Sequence, residues 1–436
     1  MSIYEDENIL HNSSESDISE DINEIRKCSG EMIEESSDNN KVNFFGALMN
    51  LLNGILGSGL LTIASTMKSC GIIFSIILML FICFLSYTAT IILLKTQERT
   101  GANGLDELTK KTCGKISAYI MTCLILTFCV TAQISYLIIG SDMIKTFLSL
   151  GGYKMNNGFQ RIVLVTIYSL SVPVMLTIPR KVSFLSYFSF ATVICVIFFF
   201  IVMIIKAIME FPVKGVSKDI KYFSFSIDIF RSISLYSMSF ALPIIILPLV
   251  LPYKKSLSKR LGTTLLAISI CFVLCVVTGL LGYLMFGENS KGDILLSFGE
   301  KDYLIICVKI GFLFVVTFSY PCVSMSVMPT YSYLFFKESN QYEMPIKKRM
   351  IVLLVSNSIP VIAAIFLPSI LPALSIGGGP GCIVDFFFPP FMALMTSKHK
   401  WYTPKNILYI IFALLGLFLG VISTYCGIVE TIRSFR

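Results

Sequence analysis

The sequence predicts an all-α integral membrane protein with eleven transmembrane helices. Hydrophobic residues make up 55% of the 436 residues and charged residues only 14%, and the mean hydropathy is +0.78. Such a chain has too little polar surface to cover a globule in water. Apolar runs long enough to cross a bilayer recur along most of its length. These observations exclude a water-soluble globular protein.

Eleven runs provide the roughly 20 apolar residues that a helix needs to cross a bilayer. We number them as spans 1 to 11, and they are Phe44–Met67, Ile72–Leu94, Ile116–Ile139, Ile162–Ile178, Phe184–Ile205, Phe230–Leu251, Leu261–Phe286, Leu304–Met328, Met350–Leu367, Ile370–Met395 and Ile407–Val429. Three charged residues lie within them, namely Arg231, Lys309 and Asp385.

The first 41 residues differ in composition from the rest of the chain. They hold twelve acidic and three basic residues, against fifteen acidic and 32 basic residues from 42 to 436. A segment this polar cannot bury enough apolar area to offset its chain entropy. We therefore expect a disordered acidic cytoplasmic tail over 1–41, which is a candidate for binding a cytoplasmic protein, and a transmembrane domain over 42–436.

The basic residues of alternate loops predict the orientation of the chain, because Lys and Arg are retained on the cytoplasmic side. With the N-terminus inside, the cytoplasmic loops carry 18 basic residues, and the outer loops together with the C-terminus carry 11. The bias predicts a cytoplasmic N-terminus. An odd number of spans then places the C-terminus outside the cell or in a lumen.

Residues that interrupt helices cluster inside spans 1 and 6. Span 6 contains Pro243 and Pro248, and each proline removes a backbone donor. Span 1 contains two asparagines and three glycines near its middle, which are Asn50, Asn53, Gly54, Gly57 and Gly59. Breaks five spans apart are what a 5+5 inverted repeat requires, with repeats over about 44–205 and 230–395 and an extra helix over 407–429. Close packing of helices through small residues is the alternative explanation of the glycines.

A break at Gly57, Ser58 and Gly59 would expose successive amides at the start of a half-helix, where a carboxylate binds well. The break in span 6 would offer carbonyls and the hydroxyls of Ser237 and Ser239 to an ammonium group. A pocket that binds a carboxylate at one end and an ammonium group at the other fits a zwitterion, and hence an α-amino acid. We therefore predict an amino acid as the small-molecule partner of a site between the two breaks.

Span 8 contains a second polar locus next to Pro321. This proline cannot donate to the carbonyl of Thr317, so that oxygen is freed beside the hydroxyls of Thr317 and Ser319. Unwound carbonyls and hydroxyls suit a hard coupling cation. The same hydroxyls also commonly bond back to their own helix in membranes. Both readings stay open at the level of sequence.

The three charged residues within the spans have different depths. Arg231 and Lys309 lie near span ends and are expected to snorkel outward. Asp385 lies deeper, where a charged carboxylate costs about 3 kcal/mol on insertion scales. Carrying protons, pairing with a lysine, and simply facing the bundle interior are all open roles for Asp385.

The chain offers no motif for covalent chemistry. Both histidines, His11 and His399, lie outside the predicted spans, and no metal, phosphate-loop or nucleophile motif is present. We predict that the chain is not an enzyme, uses no cofactor other than a coupling sodium ion or proton, and binds no nucleic acid.

The segment NLLNGILGSGLL at 50–61 is the most specific of several motifs that resemble those of the amino acid/auxin permease superfamily, particularly its branch of sodium-coupled neutral amino acid transporters. Weaker matches are ASTMKSCG at 64–71, GSD at 140–142 after span 3, GYLMFG at 282–287, DIL at 293–295, TFSYP at 317–321 and GGG at 377–379 leading to Pro389. Ala64 replaces the family's usual proline. Span 6 has Leu247-Pro248, or Leu242-Pro243 in the other register, where the branch has His-Pro, and the second proline of span 8 comes late, at Pro329. These departures leave the substrate preference and the coupling ion open.

The resemblance implies a LeuT-like fold and transport by alternating access. By position, Asn53 resembles the family's sodium-associated asparagine, and Thr317 or Ser319 its hydroxyl ligand on helix 8. The expected ion-binding residues are Asn50, Asn53, Thr317 and Ser319. The expected substrate-binding residues are Asn53, Leu56, Gly57, Ser58, Gly59, Ser237, Ser239 and Phe240.

The predicted function is secondary active transport of neutral amino acids, coupled to sodium or protons. The plasma membrane and an endolysosomal or vacuolar membrane both fit a multi-pass protein with a cytoplasmic N-terminus. The alternative is a sensor that binds amino acids, transports little and signals through the acidic tail.

Overall fold

The computed structural model describes residues 43–102, 104–153, 157–179, 185–253, 255–336, 344–397, 400 and 402–435. The predicted acidic tail and both histidines lie outside the described residues. All regular structure in the described part of the chain is helical.

The predicted eleven spans are confirmed. In the described residues, ten helical runs are each long and apolar enough to cross a bilayer, and a bent pair of helices at the start supplies the eleventh. The observed helices are Phe44–Ile55, Ser58–Thr62 and Ile63–Cys70 in span 1, Ile72–Thr100 in span 2, Lys115–Leu150 in span 3, Gly158–Ser171 and Met175–Thr177 in span 4, Leu185–Lys214 in span 5, Asp228–Ser239 and Leu242–Val250 in span 6, Leu257–Phe286 in span 7, Tyr303–Phe336 in span 8, Ile346–Phe366 in span 9, Ile370–Cys382, Ile383–Phe387 and Phe388–Met395 in span 10, and Pro404–Ser434 in span 11.

Spans 1 and 6 each consist of two half-helices. We call Phe44–Ile55 half-helix 1a, Ile63–Cys70 half-helix 1b, Asp228–Ser239 half-helix 6a and Leu242–Val250 half-helix 6b. The side of the bundle where 1a begins is called the Phe44 side, and the opposite side the Cys70 side. Half-helix 1a packs against 6b and spans 5 and 7, whereas 1b packs against 6a and span 7.

Span 10 connects span 6 to the rest of the bundle. It packs against half-helix 6a and spans 3 and 11, while span 8 packs against spans 3, 5 and 9. Gly378 lies directly on the backbone of Ser234 in 6a, since a Cβ at position 378 would stand 2.6 Å from the Ser234 carbonyl carbon. The Ser234 hydroxyl also donates to the carbonyl of Ser375 at 2.6 Å. Span 10 and half-helix 6a are therefore in backbone contact.

Span 3 is longer than predicted. Its apolar run ends at Ile139, but the helix continues to Leu150, so the GSD motif that we expected after span 3 lies inside it. Gly140 accommodates the Tyr168 ring of span 4, and this packing keeps a polar segment helical. Hydropathy marks the apolar part of a helix and misses the polar turns that follow it.

The expectation that Lys309 snorkels outward is wrong. Its side chain is buried, and it lies close to carboxylates of the loop between spans 7 and 8, namely Asp293, Glu300 and Asp302. These carboxylates offset part of the cost of burying its charge. Arg231 pairs with Glu430 of span 11 at 3.0 Å.

Candidate functional site

Span 1 is interrupted at its glycine motif. Half-helix 1a ends at Ile55, Leu56 and Gly57 have extended backbones, and the helix that resumes at Ser58 is bent by 48° from 1a. No backbone carbonyl of the described residues accepts a hydrogen bond from the amides of Gly57, Ser58 or Gly59. Three consecutive free donors at the start of a helix favour an anionic group.

Span 6 is interrupted at Phe240 and Ala241, and Pro243 follows as the second residue of half-helix 6b. The two half-helices form one membrane-crossing run over 228–250, without the sharp bend seen in span 1. The Phe240 carbonyl accepts from the Ser86 hydroxyl of span 2 at 2.6 Å and from the Leu242 amide at 2.7 Å. Pro248 lies inside half-helix 6b and does not interrupt it.

The two breaks lie against each other. A Cβ on Gly59 would stand 3.0 Å from the Cβ of Ser239 and 3.1 Å from its Cα. Glycine at position 59 is therefore required for the observed contact between the two spans. Leu56 and Phe240 are also buried at the breaks.

The carbonyl of Ser239 lacks its usual helical partner. In a continuous helix it would accept from the amide of residue 243, which is a proline. No backbone amide in the described part of the chain donates to this carbonyl or to that of Met238. Free carbonyls at the C-terminal end of 6a favour a cationic group.

Tyr136 of span 3 faces the break in span 1, and it was not among the predicted site residues. Its hydroxyl lies 3.4 Å from where a Cβ on Gly57 would stand. A tyrosine inside a predicted span was the available signal, because its hydroxyl needs a polar partner. Its neighbour could not be identified from sequence.

The two predicted serines of span 6 face different neighbours. Ser239 lies on Gly59, and its hydroxyl donates to the Leu235 carbonyl at 2.9 Å. The Ser237 hydroxyl instead lies near Gly381 of span 10, at 3.7 Å from the position of a Cβ there, and it is buried without a hydrogen-bond partner in the described structure. Of the two, only Ser239 adjoins the break in span 1.

The predicted ion-binding residues are distributed over two places. The Asn53 amide group donates to the hydroxyl of Ser189 in span 5 at 3.1 Å, and its own oxygen is buried without a partner among the described residues. The Thr317 hydroxyl instead pairs with the Tyr168 hydroxyl at 2.9 Å. Asn50 and Ser319 are half-buried. No hydrogen bond within the described residues joins the asparagines of span 1 to the hydroxyls of span 8.

Asp385 faces the bundle interior at the start of half-helix 6b. One carboxylate oxygen accepts from the backbone amide of Ile244 at 3.2 Å. The other oxygen is buried and has no hydrogen-bond partner in the described structure. No salt bridge with a lysine is present at Asp385 among the described residues, so the lysine-pairing alternative is not supported.

The two sides of the break in span 1 differ in exposure. Asn50, Asn53 and Gly57 are half-buried and Gly54 is exposed, whereas every residue from 58 to 67 is buried. The residues on the Phe44 side of the break are thus more exposed than those on the Cys70 side.

Two loops cover the Cys70 side. The amide of Ile72 donates to the carbonyl of Lys221 at 3.0 Å, and Glu288 pairs with Lys221 at 2.7 Å and with Lys68 at 3.9 Å. The hydrogen bond to Glu288 raises the pKa of Lys221. These contacts tie the end of span 1 to the loops that precede spans 6 and 8.

Asp293 is the buried carboxyl of this cover. One of its oxygens accepts from the Leu295 amide at 2.9 Å, and the other is buried without a partner in the described residues. Burial raises the pKa of Asp293 to about 7, and the nearby Asp142 adds to the rise. The opposing influences are the hydrogen bond from Leu295 and the charge of Lys309.

The eleven spans and the breaks in spans 1 and 6 give the chain a LeuT-like fold. The fold is similar to that of a solved structure of Mhp1, a nucleobase-cation-symport-1 family transporter in a closed conformation with bromovinylhydantoin bound. The TM-score is 0.54 at 11% sequence identity, over 91% of this chain and 92% of that one.

The model of the transmembrane amino acid transporter protein family matches residues 40–429. The chain therefore belongs to this family, and it is a transporter-family protein rather than an enzyme. It is 23% identical over 393 residues to the amino acid transporter AVT6E of Arabidopsis thaliana, over 85% of this chain and 79% of that one. It is 24% identical over 376 residues to sodium-coupled neutral amino acid transporter 7 of Danio rerio, over 81% and 79% of the two chains. A longer relative from Xenopus laevis matches over 89% of this chain but 37% of its own length.

Proposed function

We propose that the chain is a secondary active transporter of neutral amino acids that works by alternating access and is coupled to sodium ions or protons. The observation that carries the proposal is the set of three consecutive amides without backbone acceptors at Gly57, Ser58 and Gly59. In the membrane interior such donors are tolerated only where they line a cavity or meet a ligand. The names of the relatives from Arabidopsis thaliana and Danio rerio support an amino acid as the substrate.

The substrate in this proposal lies between the two breaks. Its carboxylate accepts from the three amides of span 1, and its ammonium group faces the carbonyls of Met238 and Ser239 at the negative end of 6a. The contact of Gly59 with Ser239 supports this arrangement, because it brings the two ends of the site together. Leu56 and Phe240 supply apolar surface, and Tyr136 adds a hydroxyl.

Sodium coupling requires Asn53 and the hydroxyls of span 8 to come together in another conformation. The unpartnered oxygen of Asn53 supports such a role. The difference in exposure across the break in span 1 supports alternating access, since it is the pattern expected when the Phe44 side is open and the Cys70 side closed. With a cytoplasmic N-terminus, this is an inward-open arrangement in the plasma membrane or in an endolysosomal or vacuolar membrane.

Counterflow in proteoliposomes tests the proposal. Vesicles loaded with unlabelled alanine or glutamine are expected to accumulate the labelled amino acid, and replacing sodium by choline, followed by a pH step, identifies the coupling ion. Binding without counterflow would identify the alternative function, a sensor. Absence of both binding and counterflow for neutral, acidic and basic amino acids would contradict the proposal.

Variants of two glycines connect the assay to the site. Gly59→Ala places a methyl group against Ser239, whereas Gly262→Ala in span 7 enters open space. Counterflow lost in the first variant and kept in the second ties transport to the contact between the breaks. Equal activity of both variants would argue against the site.

A further inference from the structure

Asp385 lies on an irregular turn of span 10. Residues Ile383–Phe387 form a π-helical turn between two α-helical segments. Such turns are uncommon and often occur at functional sites. The side chain of Asp385 is fully buried, so its carboxyl is enclosed at membrane depth by protein.

The carboxyl is joined to the movable part of span 6. It accepts from the amide of Ile244, in the first turn of half-helix 6b. The first amides of a helix have no partner within that helix, and the preceding residue, Pro243, has no amide at all. Asp385 therefore serves as the acceptor for the start of 6b, at the point where span 6 is interrupted.

Two opposing effects act on an ionised Asp385. Enclosing a carboxylate in the membrane interior disfavours its ionised form, whereas the positive end of half-helix 6b favours it. One oxygen lacks a hydrogen-bond donor among the described residues. The protonation state of Asp385 therefore depends on its contact with the start of half-helix 6b.

The surroundings of Asp385 provide no other charge to balance it. The π turn packs against half-helix 6b and spans 2, 3 and 11. Half-helix 6b has no titratable residue, and no charged side chain of spans 2, 3 or 11 lies near enough to act on Asp385 in the described structure. The titratable group that faces it from its own span is the Cys382 thiol.

We propose that Asp385 is the proton-binding site of the transporter and that its protonation releases half-helix 6b from span 10. The ionised carboxylate holds the Ile244 amide and so fixes the start of 6b. Adding a proton to the carboxylate removes the negative charge that the helix end attracts, and 6b then moves independently of 6a. The inference rests on the proposed transport function and names the proton as its coupling ion.

The test compares two kinds of transport in the same proteoliposomes without sodium. One is accumulation of a labelled neutral amino acid driven by a pH gradient, and the other is counterflow at equal pH on both sides. The measured quantity is the ratio of the two rates. For Asp385→Asn, which keeps an oxygen to accept from Ile244 but cannot carry a proton, we expect this ratio to fall about tenfold or more, while Asp385→Glu keeps a ratio closer to that of the wild type.

Asp293→Asn is the matched control, since it removes another buried carboxyl at the Cys70 side without touching span 6. It is expected to keep the wild-type ratio. A lower ratio in Asp293→Asn together with a wild-type ratio in Asp385→Asn would overturn the proposal. Wild-type accumulation that requires a sodium gradient and does not respond to the pH gradient would also overturn it. Wild-type protein without counterflow would instead contradict the transport function itself.

Folding is checked by size-exclusion chromatography in detergent. If Asp385→Asn does not give a single symmetric peak, Asp385→Thr provides a second side chain that has an acceptor oxygen and no titratable group. The same fall in the ratio is expected for it, and an unchanged ratio would overturn the proposal.

Discussion

The breaks in spans 1 and 6 lie side by side, but the backbone groups freed at each break differ in their hydrogen-bond partners. The break in span 1 bends by 48° and leaves three amides without backbone acceptors among the described residues. The break in span 6 lacks such a sharp bend, the Ser86 hydroxyl donates to its Phe240 carbonyl, and Asp385 accepts from the Ile244 amide at the start of 6b. Span 1 therefore offers its backbone to a ligand, whereas most of the backbone at the break in span 6 is already bound by the protein. We infer that span 1 is the main binding element and span 6 the controlled hinge.

The strongest test of this comparison removes the contact between the breaks. Gly59→Ala is expected to reduce counterflow about tenfold or more, because its methyl group meets the Cβ and backbone of Ser239 and overpacking costs about 1–3 kcal/mol. Adding Ser239→Gly removes the obstructing Cβ and should restore part of the activity. Wild-type counterflow in Gly59→Ala alone would show that transport does not require contact between the two breaks.

The loops that cover half-helix 1b on the Cys70 side contain Asp293, whose raised pKa makes the stability of the protein depend on pH. The pKa of Asp293 is about 7 in the folded protein and about 4 when unfolded. Between these values the folded protein keeps a proton that the unfolded chain has lost, so stability falls as the pH rises through this window. Asp293→Asn is expected to remove this fall and to gain up to about 4 kcal/mol at pH 8, with a smaller gain at pH 5.

Thermal unfolding of the wild type and Asp293→Asn at both pH values measures this effect. The asparagine retains an oxygen that accepts from Leu295, so the loop geometry is preserved. An equal difference in melting temperature at pH 5 and pH 8 would contradict the assignment of a raised pKa to Asp293.

The capped carbonyl in span 6 is tested by Ser86→Ala. Without the hydroxyl, the Phe240 carbonyl loses a partner within the protein, which is expected to cost about 1–3 kcal/mol of stability. Thr90→Val, one turn further along span 2, is the control, since its hydroxyl bonds only to the Ser86 carbonyl of its own helix. Equal melting temperatures for the two variants would mean that the break in span 6 does not need its cap.

The smallest effect is expected at Gly57. Its backbone angles are accessible to any residue, and a methyl group would stand 3.4 Å from the Tyr136 hydroxyl. Gly57→Ala should fold normally and reduce the apparent affinity for amino acids about two- to fivefold, because the methyl group enters the predicted carboxylate site. A change in stability with no change in affinity would place the substrate elsewhere.

The sequence was sufficient to predict the eleven spans and a break at the glycine motif of span 1, although the extended residues are Leu56 and Gly57, and Ser58 and Gly59 already belong to the next helix. Apolar run length is a local property, and so is the clustering of Gly54, Gly57 and Gly59. The sequence also predicted a break in span 6 from Pro243 and Pro248. The helix is interrupted just before Pro243, whereas Pro248 lies inside half-helix 6b without interrupting it.

The contacts that complete the site were not predictable from sequence. Tyr136, Ser86 and Ser189 belong to spans whose sequences look like ordinary apolar helices, and which of their faces meets the break depends on tertiary packing. The polar end of span 3 was missed for a related reason, since the burial of Gly140 beneath Tyr168 is not visible in the hydropathy of span 3. The binding roles of Asn50, Asn53, Thr317 and Ser319 remain predictions.

The backbone contact between Gly378 and Ser234 has a mechanical consequence. Where a glycine brings two helices this close, little space remains for one helix to slide past the other. We therefore expect half-helix 6a and span 10 to move as one unit. Any larger residue at position 378 is expected to disturb this contact and hold the transporter in one conformation.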